Sequence, residues 1–277
     1  MENKKKQEKR NNMAKYKIFS KTEEALYHDR KSNEDNYMFF ELSLMNDEKI
    51  VFVIVADGMG GLADGQQTSA NAVEGFSKAI YEKLLFYYMK REFSQQSLST
   101  NSGILVDLVR AAFVYANEFV CSNAQGREVG TTLSVIGILN NYAIVANVGD
   151  SPVYYYNSEN KTLDLISQLH TEAELKVKEG KCVRYSPEYH AISNIVYKSL
   201  GQWEELLDED VYIDILGHLN PGDMFLIGSD GAFGRLTEDQ IMEVISGEKE
   251  YQILDDLFKK ARCTTEDDQT AIFYKMI

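Results

Sequence analysis

The chain predicts an α+β fold with antiparallel sheets. Short apolar runs return on one another through brief polar connections, two amphipathic segments follow each other mid-chain, and no Gly/Ser linker interrupts the pattern. Asn36-Tyr37-Met38-Phe39-Phe40 and Ile50-Val51-Phe52-Val53-Ile54-Val55 read as the first strand pair, joined through Asn46-Asp47-Glu48-Lys49. Residues 68 to about 90 then place Ala72, Val73, Phe76, Ile80, Leu84 and Tyr87 on one helical face. Residues 103 to about 123 do the same with Leu105, Leu108, Val109, Ala112, Phe113, Ala116 and Val120, after a polar loop over 94–102. The clearest hairpin runs from Thr132 to Leu139, turns at Asn140-Asn141 and returns from Tyr142 to Val148. Tyr154-Tyr155-Tyr156 reads as strand and core-edge packing. Met224-Phe225-Leu226-Ile227 is a further strand, and Ala271-Ile272-Phe273-Tyr274 is the last. Between them lie a helix over 238–245, with Thr237 as N-cap and Gly247 near its stop, and a second over 251–260.

With 277 residues and 44% hydrophobic content, the chain can bury a sizeable core. Residues 15–277 read as one domain, because the acidic motifs described below spread from Glu34 to Asp267 and a split would divide them. Residues 1–14 differ: Lys4, Lys5, Lys6, Lys9 and Arg10 sit among Gln, Glu and Asn, so a disordered basic tail is expected. No apolar run approaches the roughly 18–20 residues needed to span a bilayer, and the tail lacks the apolar segment of a secretion signal. A soluble, cytoplasmic protein without a membrane span is expected. Three scattered cysteines, Cys121, Cys182 and Cys263, fit reduced thiols, and no Gly-rich Cys loop ending in Arg supports a catalytic cysteine. The net charge of −14 disfavours nucleic-acid binding.

Three distant stretches set an Asp beside a Gly or polar turn: Val55-Ala56-Asp57-Gly58-Met59-Gly60-Gly61, Gly228-Ser229-Asp230-Gly231 and Asp267-Asp268-Gln269-Thr270. Each abuts an apolar strand. Antiparallel pairing brings Asp35 beside Asp57, and it brings Asp230 to the same edge as Asp267. The central hairpin ends at Gly149-Asp150, which adds a fifth acidic position at a strand terminus. Clustered carboxylates repel or bind protons unless neutralised, and all-oxygen donors suit Mg2+ or Mn2+. Two such ions roughly 3.5–4 Å apart can lower the pKa of a water and aim it at phosphorus, so hydrolysis of a phosphate ester without a protein nucleophile is expected.

Together, Arg30-Lys31-Ser32-Asn33-Glu34-Asp35, Asp57-Gly58-Met59-Gly60-Gly61, Gly130-Thr131-Thr132, Asn147-Val148-Gly149-Asp150-Ser151, Ser229-Asp230-Gly231 and Asp267-Asp268-Gln269-Thr270 resemble the type 2C metal-dependent Ser/Thr protein phosphatases. The likeness covers nearly the whole chain from about Ile18. Met59 and the Asn33-Glu34-Asp35 triplet resemble the bacterial branch, as does the run from Pro187-Glu188-Tyr189-His190 to Gly201. The resemblance implies a β-sandwich flanked by helices in four α/β/β/α layers. It implies that Asp57 bridges two Mn2+ or Mg2+ ions, that the Gly58 carbonyl helps hold one, and that Asp230 and Asp267 complete the other shell. Glu34 and Asp35 would act through water, Arg30 would grip the substrate phosphate, and Asp150 would join Asp230 at a weaker third ion. Catalysis would rest on Asp57 and Asp230. Partners would be phosphorylated proteins, substrates of a Ser/Thr kinase, met by a monomer whose flap over about 171–200 governs their choice.

The departures matter too. Met59 stands where many eukaryotic members carry a His proposed to protonate the leaving alkoxide, and His28 is only a sequence neighbour. Leu169 precedes His170 where the family commonly has Asp, Pro152 replaces an Arg, and Asp268 an Asn. Glu266, Asp267 and Asp268 form an acidic run, so either Asp267 or Asp268 could be the ligand. Gly130-Thr131-Thr132 reads as packing at a strand start, and His170 and His190 as flap or surface residues. Two other functions compete: a noncatalytic regulatory module on the same fold, and a metal hydrolase of small phosphate esters.

Overall fold

The computed structural model describes residues 16–25, 32–44, 49–59, 64–89, 102–247 and 249–277. The expected basic tail, Arg30, His28 and Gly60-Gly61 lie outside these residues. The chain runs β1 (Tyr16–Glu23), β2 (Asp35–Ser43), β3 (Lys49–Asp57), α1 (Gly65–Met89), α2 (Ser102–Asn123), β4 (Leu133–Leu139), β5 (Tyr142–Val148), β6 (Val153–Asn157) and β7 (Thr162–Leu165). It continues through α3 (Glu172–Lys178), α4 (Pro187–His190), β8 (Tyr212–Leu216), β9 (Met224–Gly228), α5 (Asp230–Phe233), α6 (Glu238–Ile245), α7 (Ile253–Ala261) and β10 (Gln269–Met276).

Two five-stranded antiparallel sheets result, in the orders β1-β10-β9-β6-β7 and β2-β3-β4-β5-β8. Strand period explains the layers. In β3, Val51, Val53 and Val55 meet the other sheet, packing with Ile136, Val145, Phe225, Ile227 and Tyr274. The alternate residues Ile50, Phe52 and Ile54 face α1 and α2 and pack with Phe76, Ile80, Leu108 and Phe113. Both faces are covered, so β3 is continuously apolar rather than alternating. The outer face of the first sheet, through Tyr154, Leu226 and Phe273, is sealed by Phe233, Ile241, Leu257 and Phe258 of α5–α7. Three cores between four layers bear out the expected α/β/β/α sandwich.

Both long helices bury the predicted stripes, except that the side chain of Tyr87 lies outside the description. The expected 94–102 loop falls largely outside the described residues, and Ser102 already begins α2. Helix α6 carries the expected Thr237 cap, reinforced by a capping box with Gln240. The region read as helical from 251 opens as a 3₁₀ turn over Glu250–Gln252 before α7.

Candidate metal centre

Strand register assembles the site. Asp35 on β2 lies directly across from Asp57 on β3. Gly228 at the end of β9 pairs with Ala271 near the start of β10, so Ser229-Asp230 and Asp267-Asp268 emerge at one edge. Leu133 pairs with Val148 across the central hairpin, which carries Gly149-Asp150 beside Thr132. Glu34, Asp57, Asp150, Asp230, Asp267 and Asp268 accordingly line one cavity of about 220 Å3, with Gly58, Met59, Thr132, Asn194 and Val196.

Asp57 is held by its backbone. Its N–H donates to Thr132 Oγ1 (2.9 Å), and its carbonyl accepts from Thr132 N–H (2.9 Å) and Thr131 Oγ1 (2.8 Å). Thr132 Oγ1 also contacts Ser151 Oγ at 2.7 Å, which ties the Asp57 strand end to the turn bearing Asp150. The Gly-Thr-Thr run therefore positions the site rather than merely packing a strand. The glycines after the two key aspartates serve closeness, since neither has a positive φ. A Cβ on Gly58 would stand 2.2 Å from the Gly65 carbonyl oxygen, and one on Gly231 would stand 1.9 Å from that of Asp268. Side chains there would push the acidic segments apart.

The acidic run divides its labour. Asp268 is buried, and its two carboxylate oxygens accept from Ala25 N–H (2.8 Å) and Glu34 N–H (2.9 Å). It thereby clasps the β1 and β2 connection to β10. Asp267 spends one oxygen on Asp268 N–H (2.9 Å) and keeps a partly exposed edge toward the cavity. Asp35 is buried, is not among the residues lining the cavity, and lies within hydrogen-bonding reach of the Ser229 and Thr270 hydroxyls. Its Oδ2 is buried without a partner.

Crowding sets the electrostatics. Burial, then repulsion from Asp35, Asp230, Asp150 and Asp267, holds the Asp57 carboxyl well above the usual carboxylate range. Asp150 is raised by burial and by Asp230 and Asp267. Asp230 is pushed up to about 6 by burial and Asp267, against the opposing effects of a hydrogen bond with Asp57, the Gly231 N–H and Arg235. Burial lifts Asp35 to about 8. Asp57 and Asp230 stand within hydrogen-bonding reach of each other, so full charge on both is costly unless a proton or a cation lies between them. Among the described residues, no three His, Cys, Asp or Glu side chains already form a ready ligand shell. Bound cations would relieve the repulsion among these carboxyls, and the all-oxygen donor set lining the cavity fits hard divalent ions.

His170, read as a flap or surface residue, is instead buried. Its Nδ1 accepts from Gly149 N–H (3.1 Å) and its own N–H donates to the Gly149 carbonyl (3.0 Å). Burial, then Lys198 and Lys178, depress it to about 4, so it is a neutral acceptor at pH 7. With Gly149 at φ +97, this clasp fixes the turn before Asp150. Asn147 adds a two-point grip on Gln168, donating to its carbonyl (2.7 Å) and accepting its N–H (3.1 Å). Sequence reasoning assigned neither residue a role; the one available signal was the spacing of Asn147 and His170 about a hairpin end. A second cavity, of about 390 Å3, adjoins the first through shared Asp150, Asn194, Asp230 and Asp267, and continues along Thr171, Tyr189, His190 and Arg235.

Comparison with known proteins agrees with this architecture. A putative protein phosphatase 2C-type protein of Streptococcus pyogenes is 26% identical over 234 residues, covering 82% of this chain and 85% of the relative. The serine/threonine phosphatase stp of Listeria innocua is 26% identical over 229 residues, 83% of each chain. In structure, the S. agalactiae serine/threonine phosphatase superposes with a TM-score of 0.75 at 22% identity, covering 95% of this chain and 100% of that one. The catalytic domain of the phosphatase PstP, in complex with 2 manganese ions, superposes at 0.71 with 20% identity, covering 95% and 98%. The family model described as Protein phosphatase 2C matches residues 25–259, and the chain belongs to that family.

Proposed function

We propose that this protein is a phosphoprotein Ser/Thr phosphatase, hydrolysing phosphoserine and phosphothreonine with two Mn2+ or Mg2+ ions. The observation that carries the reading is the enforced proximity of Asp57 and Asp230, two carboxyls at strand ends of different sheets, within hydrogen-bonding reach of each other in one acidic cavity. Asp57, Asp230, Asp267 and the Gly58 carbonyl would hold the ions, Glu34 and Asp35 would act through water, and Asp150 with Asp230 would hold a weaker third. Bound there, the cations would lower the pKa of the attacking water and neutralise phosphate charge. The chain itself supplies rigidity: the Thr131 and Thr132 bonds stop Asp57 from turning away, and the Asp268 clasp keeps Glu34 against β10. Arg30 is proposed to orient the phosphate, and the segment over about 171–200 to act as the flap that selects phosphoproteins.

Further proposals follow from the same reading: one phosphatase domain over 15–277, a monomer, a cytoplasmic location, and substrates made by a Ser/Thr kinase. Among the described residues no helix is long and apolar enough to cross a membrane. The test is release of phosphate from a phosphothreonine peptide with Mn2+ and with excess chelator. Turnover that appears only with the cation is expected, and equal rates in both would overturn the two-ion reading.

A further inference from the structure

Arg235 is held by no side-chain partner among the described residues, although its charge favours the ionised form of nearby Asp230. The other four described arginines are held: Arg110 by the Asp208 carbonyl, Arg127 by Asp64, Arg184 by Glu174, and Arg262 by the Asp267 carbonyl and Glu23. Arg235 is exposed and, among the described residues, has neither an ion pair nor a hydrogen bond. The backbone that carries it is nonetheless fixed. Gly234 N–H closes the α5 turn on the Asp230 carbonyl (2.6 Å), Leu236 N–H donates to the Phe233 carbonyl (2.9 Å), and Phe233 and Leu236 on either side are buried. Of the described residues lining either cavity, Arg235 is the only Arg or Lys, and it sits in the chamber that shares Asp150, Asp230 and Asp267 with the candidate metal centre.

The second cavity adjoins the first, so a chain presenting a phosphoryl group to the first can lay a neighbouring side chain in it, and its volume of about 390 Å3 accommodates one. With the shared carboxylates engaged in holding cations, Arg235 is the unmatched charge that meets the incoming chain. We propose that the second cavity is a specificity subsite in which Arg235 recognises an anionic side chain, a carboxylate or a second phosphate, close in sequence to the phosphorylated residue. This rests on the phosphatase reading. A guanidinium fork suits both groups and is already committed to its charge. His190 on the same wall is held below its ordinary pKa by burial and by Arg235, so it adds no competing positive charge near neutrality.

The test uses the full chain with Mn2+ and non-hydrolysable phosphonate peptides that differ only at residues flanking the phosphonate: Glu, a second phosphonate, Gln or Lys. Affinity is read by fluorescence anisotropy, so the subsite is measured without turnover, while hydrolysis of the matching phosphothreonine peptides separately tests the phosphatase reading. The wild type is expected to bind the Glu and doubly anionic peptides about fivefold to tenfold more tightly than the Gln peptide. Arg235→Ala should erase that preference while leaving hydrolysis of a small aryl phosphate unchanged, Arg235→Lys should retain part of it, and Arg235→Glu should favour the Lys peptide. Indifference of the wild type to flanking charge overturns the proposal, as does an Arg235→Ala variant that weakens every peptide equally. Preference for only one of the anionic peptides distinguishes a carboxylate site from a phosphate site.

Discussion

Asp267 and Asp268 show how adjacent, chemically identical side chains acquire opposite work. Asp268 satisfies two backbone N–H groups from other segments, Ala25 and Glu34, while Asp267 faces the cavity. Asp268→Ala strands those donors and should lower unfolding free energy by about 2–3 kcal/mol, read from urea denaturation in chelator. Asp267→Ala should leave that stability near wild type and raise the Mn2+ concentration for half-maximal activity more than about tenfold. The reverse pattern would make Asp268 the ligand. The acidic run was visible from the sequence, but its division was not, because it depends on which backbone amides arrive from 234 and 243 residues away. Asp57 and Asp35 were more legible: two short apolar runs with opposite directions leave one possible end for both. His170 left almost no trace, since a lone His after a polar turn has no periodicity to reveal its burial.

Secondary structure was legible where the pattern was long. The α1 and α2 stripes, the β4–β5 hairpin and the Thr237 cap all follow from local periodicity or capping chemistry. The pairing of β1 with β10 joins Tyr16 to Met276 and has no local signal. In the segment over 171–200, α3 and α4 are too short for a periodic stripe, and contacts that only folding creates hold them. Buried Glu174 accepts two bonds from Arg184 (2.9 and 2.7 Å) and one from Tyr189 OH (2.7 Å), tying α3 to α4. Arg184 also reaches Glu238 at the start of α6 (3.8 Å). Because Glu174 is buried while Arg184 is partly exposed, Arg184→Ala leaves a carboxylate short of partners in this segment alone. Amide hydrogen exchange over 172–190 should accelerate by about tenfold or more, with the β4 and β5 amides unchanged. Uniform acceleration throughout would mean that this segment is part of the global folding unit.

The two sheets meet at an acidic edge that costs stability without cations. Asp35, held at about 8, and Asp57 and Asp150, held well above the carboxylate range, bind protons in the folded state that the unfolded chain releases near pH 4. Their contribution is therefore fully present below the unfolded pKa and is lost as pH rises through the folded values. His170 acts oppositely: its folded pKa of about 4 lies below the unfolded value of about 6.5, so its contribution is lost only as pH falls beneath that point. Above about pH 7.5 His170 is neutral in both the folded and unfolded chain, and the carboxyls dominate this part of the pH dependence. Family membership and the sandwich were readable from ordered motifs, whereas this charge economy needed the register that packs the motifs together.

Thermal unfolding of the wild type and Asp57→Asn, each at about pH 6.5 and about pH 8 with chelator or with Mn2+, tests whether the edge is built to hold cations. In chelator the wild type should lose at least about 3 °C between the two pH values. Mn2+ should restore more stability at the higher pH, while Asp57→Asn, with one repelling carboxyl removed, should be more stable than wild type in chelator at the higher pH and gain less from Mn2+. A wild type whose unfolding temperature is unmoved by Mn2+, or an Asp57→Asn variant with the wild-type pH profile and Mn2+ response, would show that these carboxylates are not a divalent-cation site.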